Sequence, residues 1–238
     1  MSMINRSRFL AASATMVAGA VAPAAADAVP GGTNFVERRA QFDFGAFDAV
    51  VGRPAQIRQV IEAVAFRPAM LGNVKNCFNG LQFGYGHPAD QIAIAIAGHG
   101  PSAGYTYSDY IWQKYRFGEL FKIEDAQGKT IESNIWFKAT TTFNPAADPD
   151  DKHGMYQDAS IQMLQRRGVM FLTCHTGVEE QAREIVKRGF APAGMGAKDV
   201  AADMLTHLIP GALVNPSIVA TVAVIQKVYK YTYAALTI

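Results

Sequence analysis

The hydrophobic pattern of this chain alternates between short apolar runs and stretches with helical spacing. Two of the apolar runs, at 91–97 and 168–174, contain no charged residue. Such runs are typical of strands that are buried on both faces of a parallel sheet. In the first run isoleucine alternates with alanine, so we expect both faces of that strand to be covered by other elements.

The remaining pattern predicts further strands and helices around these two runs. Apolar residues recur at strand or helical spacing through most of the chain. They predict strands at 42–51 and 212–214, and helices at 54–64, 69–82, 110–121, 158–167, 178–188, 200–208 and from Ser217, the expected N-cap, onward. Because strands and helices alternate, the sequence predicts an α/β fold with a mostly parallel sheet.

Segment 123–154 interrupts this alternation. It is rich in turn-forming residues, above all at 148–154, where aspartate, proline and glycine are concentrated. It contains too few apolar residues to form a core of its own. We therefore interpret it as an insertion or a flap within a single domain that spans 27–238.

The first 26 residues have the pattern of an export signal. Arg6 and Arg8 supply a positive start, an alanine-rich apolar stretch follows at 9–21, and three alanines at 24–26 offer a cleavage site. The apolar stretch is shorter than the roughly 20 residues that a membrane span needs. The motif around the arginines resembles a twin-arginine signal with one arginine replaced by serine, so both the Sec and the Tat routes stay open. We expect a periplasmic or secreted protein that begins near Asp27.

Charge and cysteine content exclude several classes of protein. The chain has 22 basic and 20 acidic residues, and since Arg6 and Arg8 lie in the expected signal, the remainder is close to neutral. It has no basic excess that would indicate binding to nucleic acid or to an anionic membrane. No membrane span is predicted after the signal. Two cysteines are too few for a disulfide scaffold.

The most informative chemistry lies where the run at 168–174 ends. There Cys174 is followed by His175 and a helical pattern, which places the thiol at the carboxyl end of a strand and near a helix start. Ligands and reacting groups collect at this edge of parallel sheets, and a helix N-terminus favours a thiolate. His99 follows the other run, at 91–97. If the two strands are neighbours, both imidazoles face the same crevice as Cys174, and these three residues are the candidate catalytic groups.

Each candidate also has a plainer interpretation. Cys174 could be a small buried hydrophobe, His99 a loop residue bonded to backbone, and His175 a solvated first-turn residue. Cys77 lies on the apolar side of its helix, where a core role and a disulfide with Cys174 are both open. Two imidazoles and one thiol would suffice for a copper or zinc site, but their spacing matches no known metal signature, so no cofactor is predicted.

Four motifs together resemble DsrE/DsrF-like proteins. They are Leu-Gly-Asn-Val-Lys-Asn-Cys-Phe-Asn-Gly-Leu at 71–81, the strand at 91–97 with His-Gly-Pro after it at 99–101, Gly-Val-Met-Phe-Leu-Thr-Cys at 168–174 and Leu-Ile-Pro-Gly-Ala-Leu-Val-Asn-Pro-Ser at 208–217.

The resemblance implies a three-layer fold, with five mostly parallel strands between helices, and a homo-oligomer, either a trimer or a hexamer. In the sulfur-relay members of this family a cysteine after the middle strand carries a persulfide. Cys174 matches that position and Cys77 does not. His175, the aromatic stretch at 105–115 and the insertion at 123–154 depart from the minimal pattern of the relay proteins.

Two functions of different classes follow from these observations. The first is the handling of sulfur, or of a thiol-reactive small ligand, through Cys174, with a small sulfur species or a thiol carrier as partner. The second is a noncatalytic module that binds a small ligand or a metal, or serves in assembly, and whose cysteines are structural. An accessible thiol at Cys174 favours the first, and a buried or disulfide-bonded one favours the second. The sequence identifies no substrate and leaves open whether the protein is an enzyme.

Overall fold

The computed structural model describes residues 36–236 of the chain. The export signal expected at 1–26 and the expected mature start at Asp27 lie outside the described residues.

The centre of the fold is a sheet of five strands, which all run parallel to one another. The strands are β1 (Ile57–Ala63), β2 (Ile92–Gly98), β3 (Met170–Cys174), β4 (Ala212–Asn215) and β5 (Thr232–Ala235). Their order across the sheet is β4-β3-β2-β1-β5, which places β2 in the middle. The predicted α/β fold with a five-stranded parallel sheet is confirmed.

Helices connect these strands and cover the sheet. In the described residues they are α1 (Phe44–Val51), α2 (Ala69–Asn79), α3 (Asp109–Lys114), α4 (Phe117–Phe121), α5 (Ile161–Arg166), α6 (His175–Lys187), α7 (Ala197–Thr206) and α8 (Ile218–Tyr229). A π-helical turn at Gly80–Gly84 follows α2, and 3-10 turns lie at Arg39–Gln41, Ala89–Gln91 and Gly100–Thr106. None of the helices in this part of the chain combines the length and the apolar character needed to cross a membrane.

Different helices cover the two faces of the sheet. Successive side chains of a strand point to opposite faces. Along β2, isoleucines such as Ile94 pack in one cluster with residues of α2 and α5. Alanines such as Ala95 pack in another cluster with residues of α1 and α8. The alternation of large and small residues in the sequence therefore corresponds to two covered faces, and the fold has three layers.

A third cluster joins α3, α4, α6 and α7. Trp112 belongs to it, is fully buried, and donates a hydrogen bond from its indole Nε1 to the carbonyl of Gly104 at 3.1 Å. Val178, Ala182 and Ile185 bring the inner side of α6 into the same cluster. This packing holds the helix that begins directly after Cys174.

Segment 42–51 contains the helix α1 (Phe44–Val51), so the strand predicted there was wrong. The carboxylate of Asp43 accepts a hydrogen bond from the backbone N–H of Ala46 at 3.0 Å and thereby caps α1. Phe47 and Val51 are the buried residues of α1, and their separation of four positions is the spacing of one helix face. The aromatic and β-branched content of this segment favours a strand locally, but capping and packing decide for the helix.

Segment 54–64 contains β1, so the helix predicted there was also wrong. Ile57, Val60, Ile61 and Val64 fit helical spacing. In the structure, however, the adjacent residues Val60 and Ile61 pack in the clusters on opposite faces of the sheet. A short apolar run that is buried on both faces cannot be told from a helix by its periodicity. Parallel pairing with β2 and β5 decides for the strand.

The other helices agree with the predictions apart from their ends, with two differences that matter. The helix predicted at 110–121 is divided into α3 and α4 at Arg116, which has a left-handed φ of 51°. The helix predicted at 178–188 begins earlier, at His175, with Cys174 as its N-cap. Ser217 is the N-cap of α8, but its side chain makes no capping hydrogen bond.

The C-terminal tyrosines complete the core. Tyr229 and Tyr231 are buried in the cluster that α1 and α8 form on the sheet, and the chain then forms β5, an edge strand that was not predicted. Of the three tyrosines at 229–233, only Tyr233 is exposed, with 44% of its surface accessible. The homo-oligomer stays a prediction.

The segment predicted to be an insertion, 123–154, contains neither a helix nor a strand of the sheet. Polar groups attach it to the rest of the domain. Asn134 donates a hydrogen bond from Nδ2 to the carbonyl of Tyr107 at 2.8 Å, and Asp158 accepts several from residues 140–141. The segment is therefore hydrogen-bonded to elements on both sides of it in the chain.

Candidate functional site

The candidate residues lie at the carboxyl edge of the sheet, where ligands bind in open parallel α/β folds. Cys174 is the last residue of β3 and pairs with Asn215, the last residue of β4. Gly98, the last residue of β2, pairs with Thr173, and His99 follows it directly. The neighbouring strands that the sequence required are thus present as β2 and β3.

Two helix starts converge on the sulfur of Cys174. Its Sγ accepts hydrogen bonds from the backbone N–H of Gly177, at 3.2 Å, and of Ile218, at 3.4 Å. Gly177 lies in the first turn of α6, and Ile218 is the first residue of α8. Backbone N–H groups and helix N-termini both stabilise negative charge. The surroundings of this sulfur therefore favour an anionic form once it is made.

Two local features of the sequence produce this geometry. A Cβ atom at Gly177 would lie 3.3 Å from Cβ and 3.4 Å from Sγ of Cys174, so any larger residue there would require a small shift of the helix start away from the sulfur. Asn215 is buried, donates from Nδ2 to the carbonyl of Thr173 at 2.9 Å, and accepts at Oδ1 from the hydroxyl of Thr221 at 2.9 Å. This amide links β3 to α8 and so holds Ile218 against the sulfur.

The thiol of Cys174 is nevertheless buried, with 6% of the residue exposed. Burial raises the pKa of this thiol, and the hydrogen bonds from Ile218 and Gly177 lower it again only in part, while the charges of Glu180 and Glu37 raise it further. The protonated thiol is therefore the form favoured in this structure, and a thiolate requires a change around it.

His175 points into a separate group of side chains. Its Nδ1 lies 2.8 Å from Oε1 of Glu37 and 3.9 Å from Oε1 of Glu179. Phe42 packs against the imidazole edge-to-face, with 5.4 Å between the ring centroids. His175 is thus enclosed by its own helix, by the segment before α1 and by the carboxyl groups of Glu37 and Glu179. It is not the solvated first-turn residue of the plainer interpretation.

His99 interacts with the β1–β5 side of the sheet. Its Nε2 lies 3.1 Å from Oε1 of Glu62 in β1, and the second oxygen of Glu62 accepts a hydrogen bond from the hydroxyl of Tyr233 in β5. Cys174 is bonded toward α6 and α8 instead. Among the described residues no hydrogen bond joins His99 to Cys174. His175 follows the cysteine directly in the chain, whereas His99 is bonded toward β1.

Gln181 connects the two regions. Its Nε2 donates to the carbonyl of Gly100 at 2.6 Å, and its Oε1 accepts from the hydroxyl of Tyr107. Burial, and after it the proximity of Cys174, raises the pKa of Tyr107 well above its ordinary value. The tyrosine therefore stays protonated and keeps donating, which fixes α6 against the loop that follows β2.

Cys77 lies on the other side of the sheet. It is half-buried on α2, packs against the cluster of the isoleucine face, and donates from Sγ to Oε1 of Gln59 at 3.1 Å. Burial raises the pKa of its thiol. Cys174 packs on the alanine face, and both cysteines are free thiols. The structure therefore has no disulfide between them, and Cys77 has a packing role.

A cavity of about 260 Å³ opens between α1 and α8, near this edge. Phe42, Phe44 and Val224 contribute apolar surface to it, and Asp48 and Asn215 contribute polar groups. Phe42 also contacts the ring of His175. A cavity of this kind suits a small, mainly apolar ligand with one polar end.

Sequence reasoning missed the partners of both histidines. Glu179 follows His175 by four residues, the spacing that places two side chains on one face of a helix, so this pair could have been recognised. Glu37 and Glu62 could not, because their sequence separations from the histidines carry no local signal.

Comparison with known proteins adds no relative to this description. No family model, no curated protein and no solved structure matches the chain.

Proposed function

We propose that the protein handles sulfur through Cys174, accepting a sulfur atom from a small persulfide or polysulfide. The observation that supports this proposal is the pair of backbone N–H groups, from Gly177 and Ile218, that donate to its Sγ. Both belong to helix starts at the carboxyl edge of the sheet. Such donors stabilise an anionic sulfur. Cys174 ends the third of the five strands in chain order, and the resemblance gives this position to the persulfide cysteine.

The transfer balances without an external oxidant. The thiolate of Cys174 attacks the terminal sulfur of a persulfide donor, and a new S–S bond forms between Sγ and that sulfur. The S–S bond of the donor breaks, and the donor leaves as a thiolate. The proton of the Cys174 thiol goes to solvent or to the departing thiolate. Cys174 then carries a persulfide whose charge lies near the same N–H groups.

The burial of Cys174 favours a second candidate function. A thiol that is 6% exposed and whose pKa is raised by burial is a poor nucleophile in the closed structure. Together with the cavity lined by Phe42 and Phe44, this supports a noncatalytic module that binds a small ligand. In that case the N–H groups around Sγ serve only to cap the two helices.

The sulfur atom should be found on Cys174 after the protein reacts with a low-molecular-weight persulfide. Peptide mapping by mass spectrometry should show the mass of one added sulfur on the Cys174 peptide of the wild-type chain, and none in Cys174→Ser. Serine is a good N-cap, so this variant is expected to fold. Cys77→Ser is the matched control, because a hydroxyl can still donate to Gln59, and it should keep the adduct.

A stable adduct on Cys77 alone, or no adduct at all under conditions that label both thiols of the unfolded chain, would contradict sulfur handling and support the binding module.

We also propose that the chain is exported and acts in the periplasm or outside the cell, on the strength of the signal pattern at 1–26. The intact mass of the protein isolated from its native compartment should correspond to a start near Asp27. A mass that includes residues 1–26 would show that the pattern is not a cleaved signal.

A further inference from the structure

Three side chains with metal-binding groups meet beside the start of α6. One atom each of Glu37, His175 and Glu179 lies within 4.8 Å of the other two. Exposed fractions of these side chains are 8%, 14% and 7%, respectively. The group is therefore a buried one, unlike the acidic clusters that are common on protein surfaces.

Glu37 is buried without a hydrogen bond. Within residues 36–236, neither of its carboxylate oxygens has a hydrogen-bond partner, and the same is true of Nδ1 of His175. Oε1 of Glu37 and this nitrogen are 2.8 Å apart, but their approach is not aligned for a hydrogen bond. A buried carboxylate that lacks hydrogen bonds is strongly destabilising unless a cation compensates it. The charge that compensates Glu37 therefore has to come from a protonated His175 or from a bound cation.

We propose that Glu37, His175 and Glu179 bind a divalent first-row transition ion, of which Zn²⁺ is the representative. Two carboxylates neutralise the charge of such an ion, and one imidazole selects it over Ca²⁺ and Mg²⁺, which prefer oxygen ligands throughout. Three protein ligands leave at least one coordination position for water or for a ligand.

The local structure supports each ligand. His175 and Glu179 are four residues apart on α6, so they lie on the same face of the helix. Phe42 packs edge-to-face against the imidazole and restricts its orientation. Glu37 comes from the segment before α1, so an ion at this position would attach that segment to α6.

Cys174 is not part of this ligand set. Its Sγ is occupied by the N–H groups of Gly177 and Ile218, and the sulfur does not belong to the group of mutually close ligand atoms. The site therefore differs from the soft copper or zinc site of two histidines and a cysteine that the sequence brought into consideration. It also does not depend on the sulfur chemistry proposed for Cys174.

The test is thermal unfolding of the isolated chain, first stripped with a chelator and then titrated with Zn²⁺. Zn²⁺ should raise the Tm of the wild type, and elemental analysis should give one ion per chain. Glu37→Gln should bind Zn²⁺ more than about tenfold more weakly, because removal of a ligand costs at least as much as removal of a group that orients one. Glu180→Gln is the matched control, since Glu180 is exposed on the same helix, and it should bind Zn²⁺ like the wild type.

The same variants separate a metal site from a simple ion pair. In the presence of chelator, Glu37→Gln should have a Tm equal to or above that of the wild type, because it removes a buried charge without a partner. If Glu37 instead serves as the ion-pair partner of a protonated His175, Glu37→Gln should be less stable in chelator and Zn²⁺ should have no effect, which would overturn the proposal.

Two further results would also overturn it. One is an equal Zn²⁺ effect in the wild type and in Glu37→Gln. The other is loss of Zn²⁺ binding in Cys174→Ser, which would place the sulfur among the ligands. Ca²⁺ should raise the Tm less than Zn²⁺ does, and an equal effect would contradict the assignment to a transition ion.

Discussion

Asp158→Asn is expected to destabilise the protein by about 2–4 kcal/mol, because it disrupts charge-assisted hydrogen bonds that are buried. Asp158 is 6% exposed. Its Oδ2 accepts from the backbone N–H groups of Thr140, at 2.8 Å, and Thr141, at 3.0 Å, and from both hydroxyls. Its Oδ1 accepts from the N–H of Ser160 at 2.8 Å, directly before α5. An amide in this position would place an NH₂ donor against groups that also donate.

The pH dependence of stability gives a second measure of the same carboxylate. Burial by itself would raise the pKa of Asp158, but the hydrogen bonds from Ser160, Thr140 and Thr141 outweigh it, and the pKa lies below its ordinary value. A carboxylate with a lowered pKa in the folded state contributes stability above its unfolded pKa of about 4, and this contribution is lost as the pH falls through the folded pKa.

Urea unfolding at neutral pH and below about pH 3 should therefore show a large difference between wild type and Asp158→Asn at neutral pH and a smaller one in acid. Asp148→Asn is the control within the same segment, because Asp148 is exposed, and it should change stability little. Equal unfolding free energies of Asp158→Asn and wild type at neutral pH would show that the segment is held by other contacts.

The fold class was predictable because the strands β2 and β3 carry an unambiguous signal. Their runs contain no charge, and β2 alternates isoleucine with alanine, so burial on both faces is visible in the sequence itself. Segment 42–51 was predicted as a strand and 54–64 as a helix, the reverse of what the structure has, because each carries a mixed signal. The first has strand-like composition but is capped by Asp43, and the second has helical spacing but is paired on both sides. Capping and pairing are decided by contacts that local composition does not report.

Of the candidate site, only residues that lie close together in the chain were predictable. Cys174 and His175 were found because a strand and a helix meet there, and both sit at that junction. Glu37 and Glu62 approach the two histidines from distant parts of the chain. The expectation that His99 and His175 share one crevice followed from strand adjacency alone. That β2 and β3 are neighbours does not decide which partner a side chain beyond the end of β2 binds, and His99 binds Glu62 of β1 instead.

These partners give the two histidines different surroundings at the same edge of the sheet. His99 is paired with a carboxylate that also accepts from Tyr233, so that group is satisfied and suits a structural role. Glu37, beside His175, has no such bond within the described residues. A cation or ligand that binds beside the start of α6 would therefore stabilise the fold more than one that binds beside His99.

Gly118→Ala is expected to destabilise the protein by about 3 kcal/mol, at the upper end of the usual cost of overpacking. Gly118 lies in α4, where a Cβ atom would stand 1.9 Å from the carbonyl oxygen of Ile131. Hydrogen bonds fix this approach, since the N–H of Ile123 donates to the carbonyl of Gly118 at 2.7 Å and the N–H of Ile131 donates to that of Ile123 at 3.0 Å. The neighbour is backbone, so relief requires the start of segment 123–154 to move away from α4.

Gly72→Ala provides the matched comparison, because Gly72 lies in α2 and a Cβ atom there meets nothing within 4 Å apart from its own helix backbone and chain neighbours. Both changes replace a helical glycine by alanine, which by itself stabilises a helix by about 0.5–1 kcal/mol. The intrinsic effect is therefore the same, and only the contact with Ile131 differs. Urea unfolding should show Gly72→Ala at or above the stability of the wild type and Gly118→Ala far below it. Similar stabilities of the two variants would mean that segment 123–154 can shift from α4 at little cost and is attached mainly through Asn134 and Asp158.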